Sequence, residues 1–158
     1  MKFVYLPKKS LGQNFLVDKN IINKIISIGN IETHNTVLEI GAGYGNLTKK
    51  IVTMKPKKIF AIEKDKNLAS LLKGAFKNFK NIKIINNDIF NIIKKNNLGK
   101  NIIVFGNLPY NASTQILASL ILLEKWPPWY ENLILMFQKE VADRITAQKN
   151  SKNFGRLS

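Results

Sequence analysis

Three closely spaced glycines form the first segment of this chain whose residue types could bind a ligand. Gly41, Gly43 and Gly45 directly follow a short apolar run and open an amphipathic segment. Glycines at such a turn let the backbone approach a ligand closely and present N–H groups at a helix N-terminus. A dinucleotide-binding loop of the G-x-G-x-x-G type would require glycine at position 46, where this chain has Asn46. The spacing therefore predicts a ligand-binding turn that is not a dinucleotide fingerprint.

The elements that must position this turn follow from the hydrophobic pattern. Apolar runs of strand length occur at 36–40, 58–62, 81–85, 101–105 and 133–137, and helix-like segments at 46–53, 66–76, 89–95, 113–123 and 139–148. A further helix is predicted at 18–28, with Asp18 as its N-cap. The strand runs are near-continuous, as expected for strands covered on both faces. Strand and helix alternate, which predicts an α/β fold with a mostly parallel sheet and helices on both faces.

The glycine turn is preceded by an acidic residue, Glu39. This pattern resembles the first motif of class I, Rossmann-like methyltransferases, whose ligand is S-adenosylmethionine. The resemblance implies that the three glycines, with Glu63 and Asp88, bind this cofactor. Glu63 ends the second predicted strand, where a carboxylate can accept both ribose hydroxyls, and Asp88 follows the third, where it could accept from the adenine amine. Asp65 is interpreted as a helix cap. Each acidic residue alone would more often be a surface residue, but together at successive strand ends they favour a nucleoside site.

The most specific segment follows the fourth predicted strand and reads Asn-Leu-Pro-Tyr-Asn from Asn107 to Asn111. A turn with proline and asparagine is ordinary by itself. In this position, Asn-x-Pro-aromatic resembles the catalytic motif of methyltransferases that act on adenine N6. The full pentapeptide resembles the ribosomal small-subunit RNA adenine N6-dimethyltransferases, and this resemblance extends from Lys8 to Ser158. It implies transfer of methyl groups from S-adenosylmethionine to adenine N6, giving dimethyladenosine.

The chemistry of an exocyclic amine accounts for the residues that the resemblance makes catalytic. The amine lone pair is delocalised into the ring, so the nitrogen needs hydrogen-bond acceptors rather than a base. The side-chain oxygen of Asn107, which also borders the cofactor, and the backbone carbonyl of Leu108 would each accept one N6–H. Pro109 would hold the turn rigid, and Tyr110 would stack on a target base drawn out of its helix or loop. Methyl transfer is then a direct in-line displacement that depends largely on positioning.

An N-terminal segment from Lys8 to Leu16 reads Lys-Lys-Ser-Leu-Gly-Gln-Asn-Phe-Leu and resembles the N-terminal motif of the same family. In that family the segment folds over the cofactor. The resemblance implies that residues 1–17 form an arm that closes over the cofactor, with Asn14 and Leu16 at the methionine end and Phe15 in a packing role. The alternative is a basic arm with one aromatic anchor, and the other motifs favour the first interpretation.

The charge of the chain favours a polyanionic partner. The 25 basic residues against 10 acidic ones give a net charge of +15, which suits binding to the phosphates of a nucleic acid. The family resemblance implies that this partner is ribosomal RNA or a small-subunit precursor. All but two of the basic residues are lysines, and AT-rich coding could produce the same excess. Both interpretations stay open at this point.

The remaining composition excludes several classes of protein. The chain has no cysteine, which excludes disulfides and thiolate metal sites, and its single histidine, His34, has no metal-ligand partners in sequence, so no metal is expected. No apolar stretch reaches the roughly 18 residues of a membrane span, and no signal peptide is evident. A cytoplasmic location without a membrane partner is therefore expected. The protein is also expected to be a monomer.

One domain is expected for 158 residues. In the family that the chain resembles, the polypeptide continues into the last strands of the sheet and a C-terminal helical RNA-binding domain. The chain is therefore expected to be a methyltransferase domain, residues 1–158, truncated before those parts. The strand at 133–137 would then lack a neighbour and could pair with another copy. Such a chain should hold a cofactor pocket but methylate its RNA inefficiently.

Two alternative functions stay open from the sequence. The first is an N6-adenine methyltransferase that acts on another RNA or on DNA, or a methyltransferase of a protein amide, although Leu108 and the motif around Asn14 argue against both DNA and protein substrates. The second is a non-catalytic RNA-binding module that serves in ribosome assembly.

Overall fold

The structure is a computed structural model that describes residues 14–95 and 98–158. These ranges contain one helix followed by alternating strands and helices. The strands are β1 (Thr36–Ile40), β2 (Lys58–Glu63), β3 (Ile82–Asn86), β4 (Ile102–Asn107) and β5 (Tyr130–Met136). The helices are α1 (Lys19–Gly29), α2 (Asn46–Thr53), α3 (Lys66–Ala75), α4 (Ile89–Lys95), α5 (Ser113–Ile121) and α6 (Lys139–Ile145). The longest helix in these ranges has 11 residues, and none is long and apolar enough to span a membrane.

The strands form one parallel sheet in the order β3-β2-β1-β4-β5. The chain winds outward from β1 in both directions, so the strand order reverses between β1 and β4. The register places Ile40 of β1 level with Ile62 of β2 and with Gly106 of β4. The three central strands therefore end together, and open α/β sheets bind ligands at such a switch point. The predicted parallel α/β sheet is confirmed.

The central strands are covered on both faces. Val37 and Leu38 of β1 are fully buried and point to opposite faces. On one face, Val37 packs in a cluster with residues of α1 and α2. On the other face, Leu38 packs in a cluster with residues of α4 and α5. The near-continuous apolar runs of the central strands thus result from burial between two helical layers.

Two aspartates cap helices as the sequence predicts. Asp18 precedes α1, and its carboxylate accepts hydrogen bonds from the N–H groups of Asn20 and Ile21 at 2.8 and 3.2 Å. Asp65 precedes α3 and accepts from Asn67 and Leu68 in the same manner, at 2.8 and 3.1 Å. Each carboxylate satisfies backbone donors that have no partner within the first turn of a helix.

The outer elements differ from the prediction. β5 begins at Tyr130 rather than residue 133, because its first residues pair with β4 although they are polar or exposed and show no apolar pattern. Neither β3 nor β5 contains a fully buried residue, so the expected cover on both faces does not extend to the edges. α6 ends at Ile145 rather than residue 148 and buries none of its residues. β5 lies at a sheet edge, and its pairing with another copy stays a prediction.

Gly45 is required by the packing between two helices. It is the N-cap of α2, and its φ of +76° lies in the left-handed region. A Cβ atom at this position would lie 2.8 Å from a methyl carbon of Leu72 and 2.9 Å from the ring of Phe76. The backbone conformation and the close approach of Leu72 and Phe76 therefore both disfavour a side chain at this position.

Replacing Gly45 with alanine should lower the free energy of unfolding by about 1–3 kcal/mol, because the change adds backbone strain and overpacks the contact with α3. Gly74→Ala is the matched control, since Gly74 lies in α3 with open space around its Cα. The control should gain up to about 1 kcal/mol from helix propensity. Urea unfolding of both variants measures these changes. A Gly45→Ala variant as stable as the parent would contradict the packing.

Candidate functional site

A cleft lies at the carboxyl ends of the central strands. It has a cavity volume of about 190 Å³ and is bordered by the glycine turn after β1, the end of β2, the residues after β3 and the residues after β4. Eight residues predicted for the site line it: Asn14, Leu16, Gly41, Gly43, Glu63, Asp88, Asn107 and Pro109. Segments that are far apart in the sequence therefore meet where the parallel register predicts.

Three predicted residues do not line the cleft. Gly45 faces α3, as described above. The side chain of Leu108 is 2% exposed and packs in the core, so only its backbone could act in the cleft. Tyr110 lies near the surface with 43% of its area exposed, and its hydroxyl accepts a hydrogen bond from the side-chain amide of Asn14.

The carboxylate of Glu63 holds the glycine turn against the end of β2. One of its oxygens accepts from the N–H of Gly43 at 2.8 Å, and the other accepts from the N–H of Asp65 at 2.8 Å. Burial raises the pKa of Glu63 and nearby Asp65 adds to this, while the two N–H groups oppose it. Because each carboxylate oxygen has two lone pairs, both oxygens can still accept from a ligand.

Gly43 adopts a φ of +56°, and a Cβ at this position would lie 3.0 Å from the ring of Phe15. The absence of a side chain at this position therefore lets the aromatic ring lie directly against the turn. The Phe15 ring also packs against Tyr44, with ring centroids 4.4 Å apart and planes tilted by 52°. This contact places the N-terminal segment beside the turn.

Asp88 carries two interactions at the cleft. One oxygen accepts from the N–H of Phe90 at 3.0 Å, and the other lies 2.8 Å from the ammonium group of Lys64. Partial burial raises the pKa of Asp88, but the interactions with Lys64 and the N–H of Phe90 outweigh this, so the pKa lies below its usual range. Asp88 is thus an ionised acceptor, and a ligand amine could compete with the exposed Lys64 for it.

The sequence predicts Asn107 in the turn after the fourth strand, but in the structure it is the last residue of β4. Its side-chain nitrogen donates to the backbone carbonyl of Asn14 at 2.6 Å. This bond uses one of the two N–H donors of the amide and fixes which way it faces, so the oxygen is the acceptor that Asn107 can offer a ligand.

We call Asn14–Leu16 the strap, because these three residues join the two sides of the cleft. Asn14 contacts Asn107 and Tyr110 on one side. On the other side, the side-chain nitrogen of Asn46 donates to the carbonyl of Leu16 at 2.9 Å. The predicted arm comprised residues 1–17; of these, residues 1–13, including most of the Lys8–Leu16 motif, lie outside the described residues.

Sequence reasoning missed two groups at the cleft. In the sequence, the one signal from Asn46 is that it stands where a dinucleotide-binding loop would have glycine. Glu39 was noted only as the acidic residue before the turn. Its carboxylate is buried, lines the cleft and accepts from the hydroxyl of Thr48 at 2.5 Å. Burial raises the pKa of Glu39 from 4.5 to about 8, with a contribution from Glu63 and opposition from Thr48.

The cleft is chemically a site rich in acceptors. Carboxylates of Glu63 and Asp88 and the amide oxygen of Asn107 can accept hydrogen bonds from hydroxyl and amine groups. Within residues 14–95 and 98–158, no group of three or more His, Asp or Glu side chains could hold a metal ion. The arrangement therefore suits an uncharged or cationic ligand with several hydroxyl and amine donors, such as a nucleoside derivative.

Comparisons with known proteins agree on one family. The family model described as "Ribosomal RNA adenine dimethylase" matches residues 5–158. The chain is 53% identical over 151 residues to ribosomal RNA small subunit methyltransferase A of Pelagibacter ubique, covering 96% of this chain and 56% of the relative. The protein of the same name from Mycoplasmopsis synoviae is 46% identical, with the same coverage. The chain thus spans about half the length of the curated relatives that it matches.

Solved structures give the same result for the fold. A dimethyladenosine transferase from Plasmodium falciparum matches with a TM-score of 0.77 and 32% identity, over 91% of this chain and 50% of that one. The 23S rRNA methyltransferase ErmE matches with a TM-score of 0.71 and 24% identity, over 92% of this chain and 54% of that one. The Rossmann-like fold predicted from the sequence is confirmed.

The raised pKa of Glu39 predicts a pH dependence of stability. Because the folded chain holds this proton more tightly than the unfolded chain, the free energy of unfolding should decrease as pH rises from 4.5 to about 8. Glu39→Gln carries no such proton, so it should lose less stability between pH 5 and pH 8 than the parent. Glu131→Gln, a change at an exposed glutamate, should keep the parental dependence. Urea unfolding at both pH values tests this, and equal losses in all three proteins would contradict it.

Proposed function

Because the chain belongs to the ribosomal RNA adenine dimethylase family, we propose that it transfers methyl groups from S-adenosylmethionine to N6 of adenines in small-subunit ribosomal RNA, giving dimethyladenosine. One observation carries this proposal. Asn107 borders the same cleft as Gly43 and Glu63, with its amide nitrogen bonded to Asn14 and its amide oxygen left as an acceptor. A nucleoside site and an acceptor for an amine are thereby combined in one cleft.

The cofactor fits the residues that border the cleft. Glu63 would hold the ribose hydroxyls, because each of its oxygens retains a lone pair beside the bonds to Gly43 and Asp65. Asp88 would accept from the adenine amine in place of Lys64. When bound, S-adenosylmethionine supplies an electrophilic methyl group on a sulfonium. The positive charge of that group suits a cleft bordered by the carboxylates of Glu63 and Asp88.

Asn107 at the end of β4 and the residues that follow it would prepare the target amine. The oxygen of Asn107 and the carbonyl of Leu108 each accept one N6–H, which favours a pyramidal nitrogen whose lone pair is available. Pro109 restricts the backbone of the turn that leads from these two acceptors to Tyr110. The exposed ring of Tyr110 offers a stacking surface for an extruded base. These groups orient the amine and do not need to remove its proton before the methyl group is transferred.

The proposed partner is ribosomal RNA in a small-subunit precursor. The net charge of +15 suits phosphate binding, which should weaken as salt increases. The proposal places the protein where small subunits are assembled, in the cytoplasm, as a monomer without a metal ion. Efficient methylation is expected to need parts that the curated relatives have beyond the matched half.

Gly43→Val should abolish measurable binding of S-adenosylmethionine. A branched side chain would meet the ring of Phe15 and would resist the φ of +56°. Isothermal titration calorimetry of the parent and the variant measures the effect, with circular dichroism to verify that the variant is folded. Gly74→Ala, at a residue that does not line the cleft, should bind as the parent does. A folded Gly43→Val variant with parental affinity would place the cofactor elsewhere.

Asn107→Ala should lower the rate of methyl transfer on the order of a hundredfold, because it removes one preorganised acceptor for the amine. Cofactor affinity should change far less. The measurement is single-turnover transfer of tritiated methyl groups to undermethylated small subunits, with protein in excess and saturating cofactor.

Asn81→Ala is the matched control for this change. Asn81 also donates from its side chain to a backbone carbonyl, that of Pro56 at 2.9 Å, but it does not line the cleft. This variant should keep the parental rate. If Asn107→Ala also kept it, Asn107 would be only a structural residue. If the parent bound small subunits but transferred no methyl group, a non-catalytic assembly role would be supported instead.

A further inference from the structure

We infer that Asn46 is a positioning residue for Asn107, acting through the strap. The inference rests on the proposed function, since it concerns the group that would accept the target amine. Asn46 lies at the start of α2, and Asn107 lies at the end of β4. The strap is hydrogen-bonded to both: Leu16 accepts from Asn46, and Asn14 accepts from Asn107.

The position of Asn46 is firmly determined. It is the first residue of α2, and the next two residues, Leu47 and Thr48, are 4% and 0% exposed. Asn46 itself is half-buried, and its side-chain nitrogen donates to the carbonyl of Leu16 at 2.9 Å. The side chain thus fixes a backbone atom of the strap relative to the glycine turn. Glycine, which the dinucleotide spacing would require here, has no donor to do so.

The strap is a short connection between Asn46 and Asn107. Phe15 lies between the two bonded residues and packs against Gly43 and Tyr44. Only one residue therefore separates the carbonyl that Asn46 holds from the carbonyl that Asn107 contacts. We therefore expect a displacement of Leu16 to displace Asn14.

The carbonyl of Asn14 determines which way the amide of Asn107 faces. An asparagine amide has a donor on one side and an acceptor on the other. Rotation by half a turn would replace the 2.6 Å hydrogen bond by a contact between two acceptor oxygens. A well-placed strap therefore excludes the orientation in which Asn107 would present its NH₂ group to the substrate amine. A loosened strap would permit both orientations.

Variants of Asn46 test the inference at saturating cofactor. Asn46→Ala removes one hydrogen bond and should lower the single-turnover rate about three- to tenfold. Asn46→Asp keeps the shape of the side chain but places a carboxylate against the carbonyl of Leu16, so its loss should be at least as large. Asn81→Ala, which removes the same type of bond outside the cleft, should leave the rate unchanged.

A double variant separates positioning from general loss of stability. If Asn46 acts through Asn107, Asn46→Ala should have little further effect on the rate in a chain that already carries Asn107→Ala. Rate losses that multiply in the double variant, or a parental rate for Asn46→Ala, would overturn the inference.

A spectroscopic measurement tests the inference without requiring activity. The side-chain NH₂ signals of Asn107 in a ¹H–¹⁵N spectrum report the bond to Asn14, and they should shift or broaden in Asn46→Ala but not in Asn81→Ala. Unchanged Asn107 signals in Asn46→Ala would overturn the inference even if the parent is active. If the parent neither binds the cofactor nor transfers methyl groups, but the Asn107 signals still shift in Asn46→Ala, only the proposed function is refuted.

Discussion

The site depends on one constraint, the parallel register that makes β1, β2 and β4 end at the same level. Ile40 pairs with Ile62 on one side and with Gly106 on the other. Glu63 and Asn107 therefore border the turn that follows β1. In a parallel sheet these neighbours come from crossover units rather than hairpins, so residues far apart in the chain share one edge. No local interaction could bring them together in this way.

A second constraint is the burial of acidic groups at this edge. The carboxylates of Glu39 and Glu63 lie at 2% and 6% exposure, and burial raises the pKa of each. Backbone N–H groups and the hydroxyl of Thr48 compensate this cost only in part. The fold thus holds hydrogen-bond acceptors in a poorly hydrated cleft. A ligand with hydroxyl, amine or cationic groups would restore the hydrogen bonds that water no longer makes there. Burial of these carboxylates therefore lowers the free energy of unfolding, but it places acceptors where a ligand can bind.

Much of this could be predicted from the sequence, because the relevant signals are local. Apolar runs located the central strands, and Asp18 and Asp65 had the spacing of helix caps. The glycine turn, Glu63, Asp88 and Asn107 were then placed at strand ends, and the resemblance to methyltransferase motifs implied their roles. The bonds that Asn14 and Asn46 make could not be predicted, since they join segments 93 and 30 residues apart with no periodic pattern.

The central claim is that one cleft holds both the cofactor and the acceptors for the target amine. A crystal structure of the chain with S-adenosylhomocysteine tests it most directly. The account predicts ribose hydroxyls on the carboxylate of Glu63, the adenine amine near Asp88 and the sulfur end facing Asn107. A ligand bound at another place, or bound in this cleft without contact to Glu63, would contradict it.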